Sequence, residues 1–483
     1  MFDKIKSLGA DTLIYGISTV VGRLIGFLLV PIYTHALTPS DYGIVAIAFS
    51  YIAFLNIFYS YGMESAYFRF AAKLEKGDSK TKFSTPFISL FITSILFSSI
   101  ILFCNSEFAN LIDINKTEII SISAGIIFFD TISIIPFASL RLEKKSKIFV
   151  SIKLVNIFSN VIFNIYTLFV LKLGLIGIFY SGLTSSIITF IFLIPQIKID
   201  FKAKFSFSLY KELLKFGLPY IPVGISSIAL QVIDRPILNS LLNTDQVGIY
   251  QSSFKLGVLM NLFTLMFEYA WRPFYLNHAK DLNIKNIISR VFSYYVFFGL
   301  TILLFFTIFI SDFVTFEIFG KTIIAKNYWS GLIIVPIVLT GYFFTGCGFN
   351  FNAGIQIMKK TKSLIWTSLI AIIISLTCNF IFIPMFGISG AAISFTLGAF
   401  ISSFGIFYVS QKAYPVEYEW KRIIKSILVL IILIFNYYYF EVDNIFIKII
   451  FLTVWIATFY FLNILNIEEK SILKKYLKLV DTK

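Results

Sequence analysis

Apolar residues along this chain fall in runs of about 20, separated by shorter polar stretches. A run of that length matches a ~30 Å hydrocarbon layer crossed at about 1.5 Å per residue. The runs predict membrane-spanning helices at 12–33, 42–63, 83–104, 119–140, 148–171, 175–195, 216–242, 248–271, 291–310, 330–350, 364–383, 389–409, 425–440 and 446–467. The thirteenth is the shortest. About fourteen spans of ~22 residues leave roughly 175 residues for connections, so no sizeable soluble domain is expected. The first run, Thr12 to Tyr33, is long enough to span and lacks the short apolar region and small-residue cleavage site of a signal peptide. It is expected to remain as the first helix of an all-α integral membrane protein.

Composition agrees with the pattern. The 483 residues are 58% hydrophobic and 14% charged, where soluble chains carry about 25% charge. The formal charge of +15 would suit nucleic acid, but the basic residues sit in alternate loops. The tails and the loops at 64–82, 141–147, 196–215, 272–290, 351–363 and 410–425 hold about 32 of the 41 Lys and Arg, and the opposite loops about four. Basic residues are retained on the cytoplasmic side, which predicts a multi-pass protein of the cytoplasmic membrane with both termini inside. No nucleic-acid partner is expected. Cys104, Cys347 and Cys378 all lie in apolar runs and read as small buried hydrophobes.

The halves resemble each other. Leu37-Thr38-Pro39-Ser40-Asp41-Tyr42-Gly43-Ile44 matches Leu242-Asn243-Thr244-Asp245-Gln246-Val247-Gly248-Ile249 at a shift of 205, and Pro31 matches Pro236 at the same shift. Asn164 with Gly174-x-x-Gly177 has a counterpart in Asn379 with Gly387-x-x-Gly390. This predicts two six-helix bundles, residues 1–210 and 211–422, around a central cavity, then an additional helix pair at 423–467 and a cytoplasmic tail at 468–483.

Ionisable groups inside spans point to function, because each costs several kcal/mol at the bilayer centre unless it meets water, a partner or a ligand. Arg23 lies near the middle of the first span, and Asp234-Arg235-Pro236 interrupts the seventh. Gln231, Arg235 and Asn239 recur every four residues as one polar stripe. Lys255 in the eighth span lies at about the depth of Arg235. Arg23, Arg235 and Lys255 are therefore candidates for a cationic site that holds a phosphate-bearing substrate, and internal pairing, such as Asp234 with Lys255, is the alternative. Asn156, Asn160 and Asn164 share one face of the fifth span, with Lys153 a turn earlier. They can bind sugar hydroxyls or join helices. Glu64 with Arg69, and Glu268 with Arg272, end corresponding spans of the two halves near the cytoplasmic surface. Glu64, Arg69, Asp234 and Glu268 are candidates for gating or coupling, and interfacial anchoring is the alternative for the terminal pairs.

Other signals carry less. Gly320-Lys321-Thr322 lacks the earlier glycine of a phosphate-binding loop. His35 and His278 are far apart, so no metal site is expected. The Asn115-Lys116-Thr117 sequon matters only in a secretory pathway. There is no D-x-D pair and no nucleophile elbow, and the outward loops are short, so the chain does not read as an enzyme.

The segments Val20-Val21-Gly22-Arg23-Leu24-Ile25-Gly26-Phe27, Pro31-Ile32-Tyr33 and Leu37 to Gly43 resemble the polysaccharide flippases that export O-antigen or teichoic acid units. Phe216-Gly217-Leu218-Pro219, Asp234-Arg235 and Ile383-Pro384-Met385-Phe386-Gly387-Ile388-Ser389-Gly390-Ala391-Ala392 resemble the second half of the same family. That family belongs to the multidrug, oligosaccharidyl-lipid and polysaccharide exporter superfamily. The resemblance implies twin bundles, alternating access and outward movement of an undecaprenyl-diphosphate-linked oligosaccharide. It also implies a coupling cation, proton or sodium, and polysaccharide polymerase and glycosyltransferases as partners. Lipid II flippases share a cationic cavity, but their further arginine in the second span has no match here, where Asn56 is the strongly polar residue at that depth. A multidrug or cation antiporter would favour acidic cavity residues, and a membrane glycosyltransferase would need catalytic loops.

Overall fold

The computed structural model describes residues 20–72, 79–114, 116–318, 320–360 and 363–461. Residues 12–19 of the first expected span, 462–467 of the last, both tails and the loop segment 73–78 lie outside the described residues. The described residues form helices α1 Val20–Ala36, α2 Pro39–Ser60, α3 Met63–Ala72, α4 Ser79–Phe103, α5 Asn105–Leu111, α6 Thr117–Leu142, α7 Ser146–Ile165, α8 Leu175–Asp200, α9 Phe207–Gly217 and α10 Tyr220–Val232. There follow α11 Asp234–Leu241, α12 Thr244–Leu256, α13 Val258–Asn277, α14 Ile284–Thr315, α15 Val335–Ile357, α16 Ser363–Phe386, α17 Ile388–Ala413, α18 Trp420–Tyr439 and α19 Ile445–Phe461. A 3-10 turn at Lys326–Ile334 leads into α15, and two-residue strands at Glu317–Ile318 and Lys321–Thr322 pair antiparallel.

Ten helices among the described residues are long and apolar enough to cross a membrane, or eleven if the bent pair α9 and α10 counts as one span. The expected first and last spans appear as the shorter apolar helices Val20–Ala36 and Ile445–Thr458. The expected seventh and eighth are helical but interrupted, between α10 and α11 at Ile233 and between α12 and α13 at Gly257. The protein is an all-α membrane protein. Length and apolarity alone do not establish the count of fourteen.

The chain packs as two compact units. One comprises the described residues up to Val258, with Ile324–Ile334 and Ser368–Gly398; the other comprises Leu259–Ile323, Val335–Thr367 and the described residues from Ala399 onward. The first unit holds the matched sequence segments, and their local geometry repeats as well. Thr38 caps α2 by accepting from the Asp41 amide, and Asn243 caps α12 by accepting from the Gln246 amide, at the same shift of 205. Gly174 and Gly387 both have φ of 58°, a conformation that favours glycine, and each carbonyl accepts from the amide three residues on, Gly177 and Gly390, at 3.0 Å. The Asn164 and Asn379 amides each donate to the carbonyl four residues back, at 2.7 and 2.8 Å.

Within this unit α6 and α8 pack through small residues. A Cβ on Gly182 would come within 3.1 Å of Ile126, the close approach typical of membrane helix pairs. The apolar face of α9 seats Leu213 among Met63, Tyr67, Phe83 and Leu90, as its heptad-like spacing of leucine and phenylalanine requires. In the second unit α19 docks on α14. Trp455 stacks on Phe297 with centroids 4.8 Å apart, its Nε1 donates to Thr301 Oγ1 at 2.7 Å, and the buried Lys448 pairs with Asp312 at 2.6 Å.

Candidate functional site

The cationic residues expected to act together lie on three helices of the first unit. Arg23 is on α1, Arg235 in the first turn of α11 and Lys255 near the end of α12. Pro236 has no amide hydrogen, so the helix hydrogen bonding lapses where α10 gives way to α11. Asp234 then occupies the start of a helix, where negative charge is favoured.

Arg235 and Asp234 are each 4% exposed and satisfy one another. The Arg235 guanidinium pairs with Asp234, donates through Nε to Gln251 Oε1 at 3.1 Å, bonds the Gln231 carbonyl and lies 4.2 Å from the Phe254 ring centroid. The Tyr250 hydroxyl donates to the second carboxylate oxygen of Asp234. So Asp234 is engaged by Arg235 and Tyr250 and is not paired with Lys255.

Arg23 and Lys255 differ in kind. Both are half-buried, and neither makes a hydrogen bond or ion pair among the described residues. Arg235 and Arg23 are both near enough to act electrostatically on the Lys255 ammonium. Arg23 and Arg235 thus both lie within electrostatic reach of Lys255, while Asp234 neutralises Arg235, at a depth where charge is costly without a counterion. The arrangement suits an anion carrying more than one charge.

Next to this cluster, α2 and α12 meet through glycine. A Cβ on Gly43 would overlap the Thr244 carbonyl, and a Cβ on Gly248 would overlap that of Pro39. Pro39 and Thr244 are themselves equivalent at the shift of 205, so the contact is reciprocal, and Ser40 Oγ lies 3.1 Å from Thr244 Oγ1 across it. Tyr42 stands beside the contact, edge-on to Tyr33 and Tyr328 at 5.7 and 6.1 Å, and within electrostatic reach of Arg235.

The asparagine stripe joins helices. Asn156 donates to the Ser185 carbonyl at 3.2 Å and Thr189 Oγ1 at 2.8 Å, Asn160 to Ser185 Oγ at 3.4 Å, and Asn164 accepts from the Tyr33 hydroxyl at 3.1 Å. These ties link α7 to α8 and α1, and Asn156 and Asn160 keep some exposed surface. Glu64 pairs with Arg141 of α6, while the Arg69 guanidinium lies 4.4 Å from the centre of the Phe216 ring. In the second unit Glu268 and Arg272 act on each other electrostatically. Also in that unit, a cavity of about 290 Å³ is lined by Phe292, Phe343, Phe351, Phe400, Phe407 and Trp420, so it suits hydrocarbon and not a charged headgroup. Among the described residues no group of three His, Cys, Asp or Glu could hold a metal ion.

Two kinds of residue escape the sequence reading. Gln251 and Tyr250 hold the Asp234–Arg235 pair, and no local pattern marks them. Asp130, an acid inside α6 that accepts from Ser186 Oγ at 2.7 Å, was visible as a lone carboxylate in an apolar run.

Helices of this length and apolarity, with cations inside one unit, define an all-helical integral membrane protein. Residues 33–324 match the model of the polysaccharide biosynthesis protein family, and the chain belongs to that family. Its fold is similar to that of a lipid II flippase, MurJ, in an inward closed conformation, with a TM-score of 0.75 at 17% identity, covering 93% of this chain and 99% of that one. It is also similar to an inward-facing multidrug resistance MATE family transporter of the MOP superfamily, with a TM-score of 0.59 at 14% identity over 81% of this chain and 94% of that one. A MOP superfamily transporter from Pyrococcus furiosus, whose binding pocket is described as having reverse polarity, gives a TM-score of 0.58 at 13% identity over 84% of this chain and 95% of that one. A search of curated protein sequences returned no match. The sequence resemblance to polysaccharide exporters therefore holds at the level of family and fold.

Proposed function

We propose that this protein is a flippase that carries an undecaprenyl-diphosphate-linked oligosaccharide from the inner to the outer leaflet of the cytoplasmic membrane, by alternating access, during surface polysaccharide synthesis. The observation that carries this reading is the pair of unpartnered cations, Arg23 and Lys255, beside the neutralised Arg235. A diphosphate supplies the missing negative charge, and Arg23 can grip its oxygens with two parallel hydrogen bonds. The lipid tail stays in the membrane while the headgroup crosses past the cations, with both termini in the cytoplasm. Polysaccharide polymerase and glycosyltransferases act before and after it.

Lipid II is the second reading, favoured by the fold similarity to MurJ. Asn56 at the depth of the second span weighs against it, since the resemblance leads one to expect an arginine there. A multidrug antiporter for cationic drugs is disfavoured by the same cations, because like charges repel at close range in a low dielectric.

A deletion mutant should still assemble the lipid-linked oligosaccharide and accumulate it with the headgroup on the cytoplasmic leaflet, as read with a membrane-impermeant, sugar-directed probe on oriented vesicles. Absence of the full-length lipid-linked sugar would point to synthesis instead. Normal external exposure would remove the flippase reading.

A further inference from the structure

Asp130 lies about midway along α6 and receives one hydrogen bond, from Ser186 Oγ at 2.7 Å. It makes no other hydrogen bond or ion pair among the described residues. An ionised carboxylate has room for about four donors, so this one is poorly served for its depth. Asp130 keeps exposed surface.

The charged group that acts on it is Lys153 of α7. Lys153 does not reach Asp130 as an ion pair; its Nζ rests 4.2 Å from the centroid of Phe137, two turns further along α6. Arg141, which also acts on Lys153, is paired with Glu64. The other helices packed on α6 carry charge only near their ends: Asp41 on α2, Glu64 and Arg69 on α3, Lys82 on α4, Glu107 on α5, and Lys198 and Asp200 on α8. Ser186 is the neighbour on α8 at this level.

A lone carboxylate in such a place is met by a cation or neutralised by a proton. A sodium ion would need several oxygen ligands, as hard cations do, and Ser186 is the single hydroxyl hydrogen-bonded to Asp130 among the described residues. Lys153 also repels a second cation. Intramembrane acids of this kind mark proton pathways.

We propose that Asp130 is a proton-binding site of this protein, and that loading and emptying it couples transport to a proton gradient. On emptying, the carboxyl O–H bond breaks, the proton passes to water and the electron pair stays on the carboxylate. Ser186 then donates to that charge and Lys153 balances it from the Phe137 ring. The coupling step rests on the transport reading; the proton site does not.

Dicyclohexylcarbodiimide attacks protonated carboxyls in apolar surroundings, and mass spectrometry of the peptide bearing Asp130 reads its yield in the purified full-length protein. Labelling of Asp130 should fall as pH rises. In Lys153→Gln and in Ser186→Ala the fall should move to higher pH, by on the order of one unit, because each change removes a group that favours the carboxylate. No labelling at any pH, labelling independent of pH, or protection by sodium at constant pH would overturn the site. In vesicles, an imposed pH gradient should speed translocation by the wild type and not by Asp130→Asn. Acceleration of the variant would overturn the coupling. Expected labelling together with no translocation by the wild type would leave the proton site standing and remove the flippase reading instead.

Discussion

Gly43→Val and Gly248→Val are each expected to cut surface polysaccharide by on the order of tenfold. The reason is steric: a Cβ at either position runs into a backbone carbonyl of the facing helix, and a carbonyl held in a helix cannot move aside as a flexible side chain can. Overpacking of that kind costs roughly 1–3 kcal/mol, enough to change the population of the closed contact about tenfold. Cross-linking gives a direct reading. In a background lacking Cys104, Cys347 and Cys378, the pair Ser40→Cys and Thr244→Cys should form a disulfide readily, since the native oxygens are 3.1 Å apart. Gly43→Val should lower that yield, whereas Gly26→Ala, with nothing within 4 Å of the added carbon, should not. Equal yields in all three backgrounds would mean that the glycine contact does not hold α2 against α12.

Arg23→Ala and Lys255→Ala should each lower export by on the order of tenfold while membrane abundance stays near that of the wild type. Neither side chain has a partner among the described residues to leave behind, and a charge-assisted contact to phosphate is worth about 1.5–3 kcal/mol. Arg23→Lys should recover part of the loss, because a point charge replaces a fork. Arg235→Ala should behave differently. It strands a buried Asp234, and breaking a buried pair costs about 3–5 kcal/mol, so abundance should fall along with export. The double variant Asp234→Asn, Arg235→Met should regain abundance without regaining export. Quantifying protein and surface polysaccharide in the same membranes checks all of these, and an equal loss of protein in Arg23→Ala and Lys255→Ala would assign those cations to folding.

The spans were legible because run length in an apolar chain is fixed by bilayer thickness. The interruptions were less so: Pro236 marks the break before α11, but a single glycine such as Gly257 is tolerated inside helices and does not by itself mark a break. The cations stood out against apolar surroundings, yet the sequence could not say which was spent internally. Asp234 and Arg235 are adjacent in the chain, and the groups that complete their pairing, Tyr250 and Gln251, come from another helix. The asparagine stripe was legible as a face, and its partners Ser185, Thr189 and Tyr33 were not. Asp130 stands as a lone acid in a window with mean hydropathy of 1.9, which reads as an ordinary span. The repeat at a shift of 205 was legible as a match, but only the packing turns Gly43 and Gly248 into opposite sides of one contact.

The most direct test of the central claim is translocation by the purified protein in vesicles that contain an undecaprenyl-diphosphate-linked oligosaccharide, scored by the fraction that an external sugar-directed probe can reach. The cationic site predicts that the wild type moves this lipid across the bilayer, and that the Arg23→Ala, Lys255→Ala double variant moves it at least tenfold more slowly, about the loss of one charge-assisted phosphate contact. If wild type and variant moved it equally, or neither moved it above protein-free vesicles, the account would be contradicted.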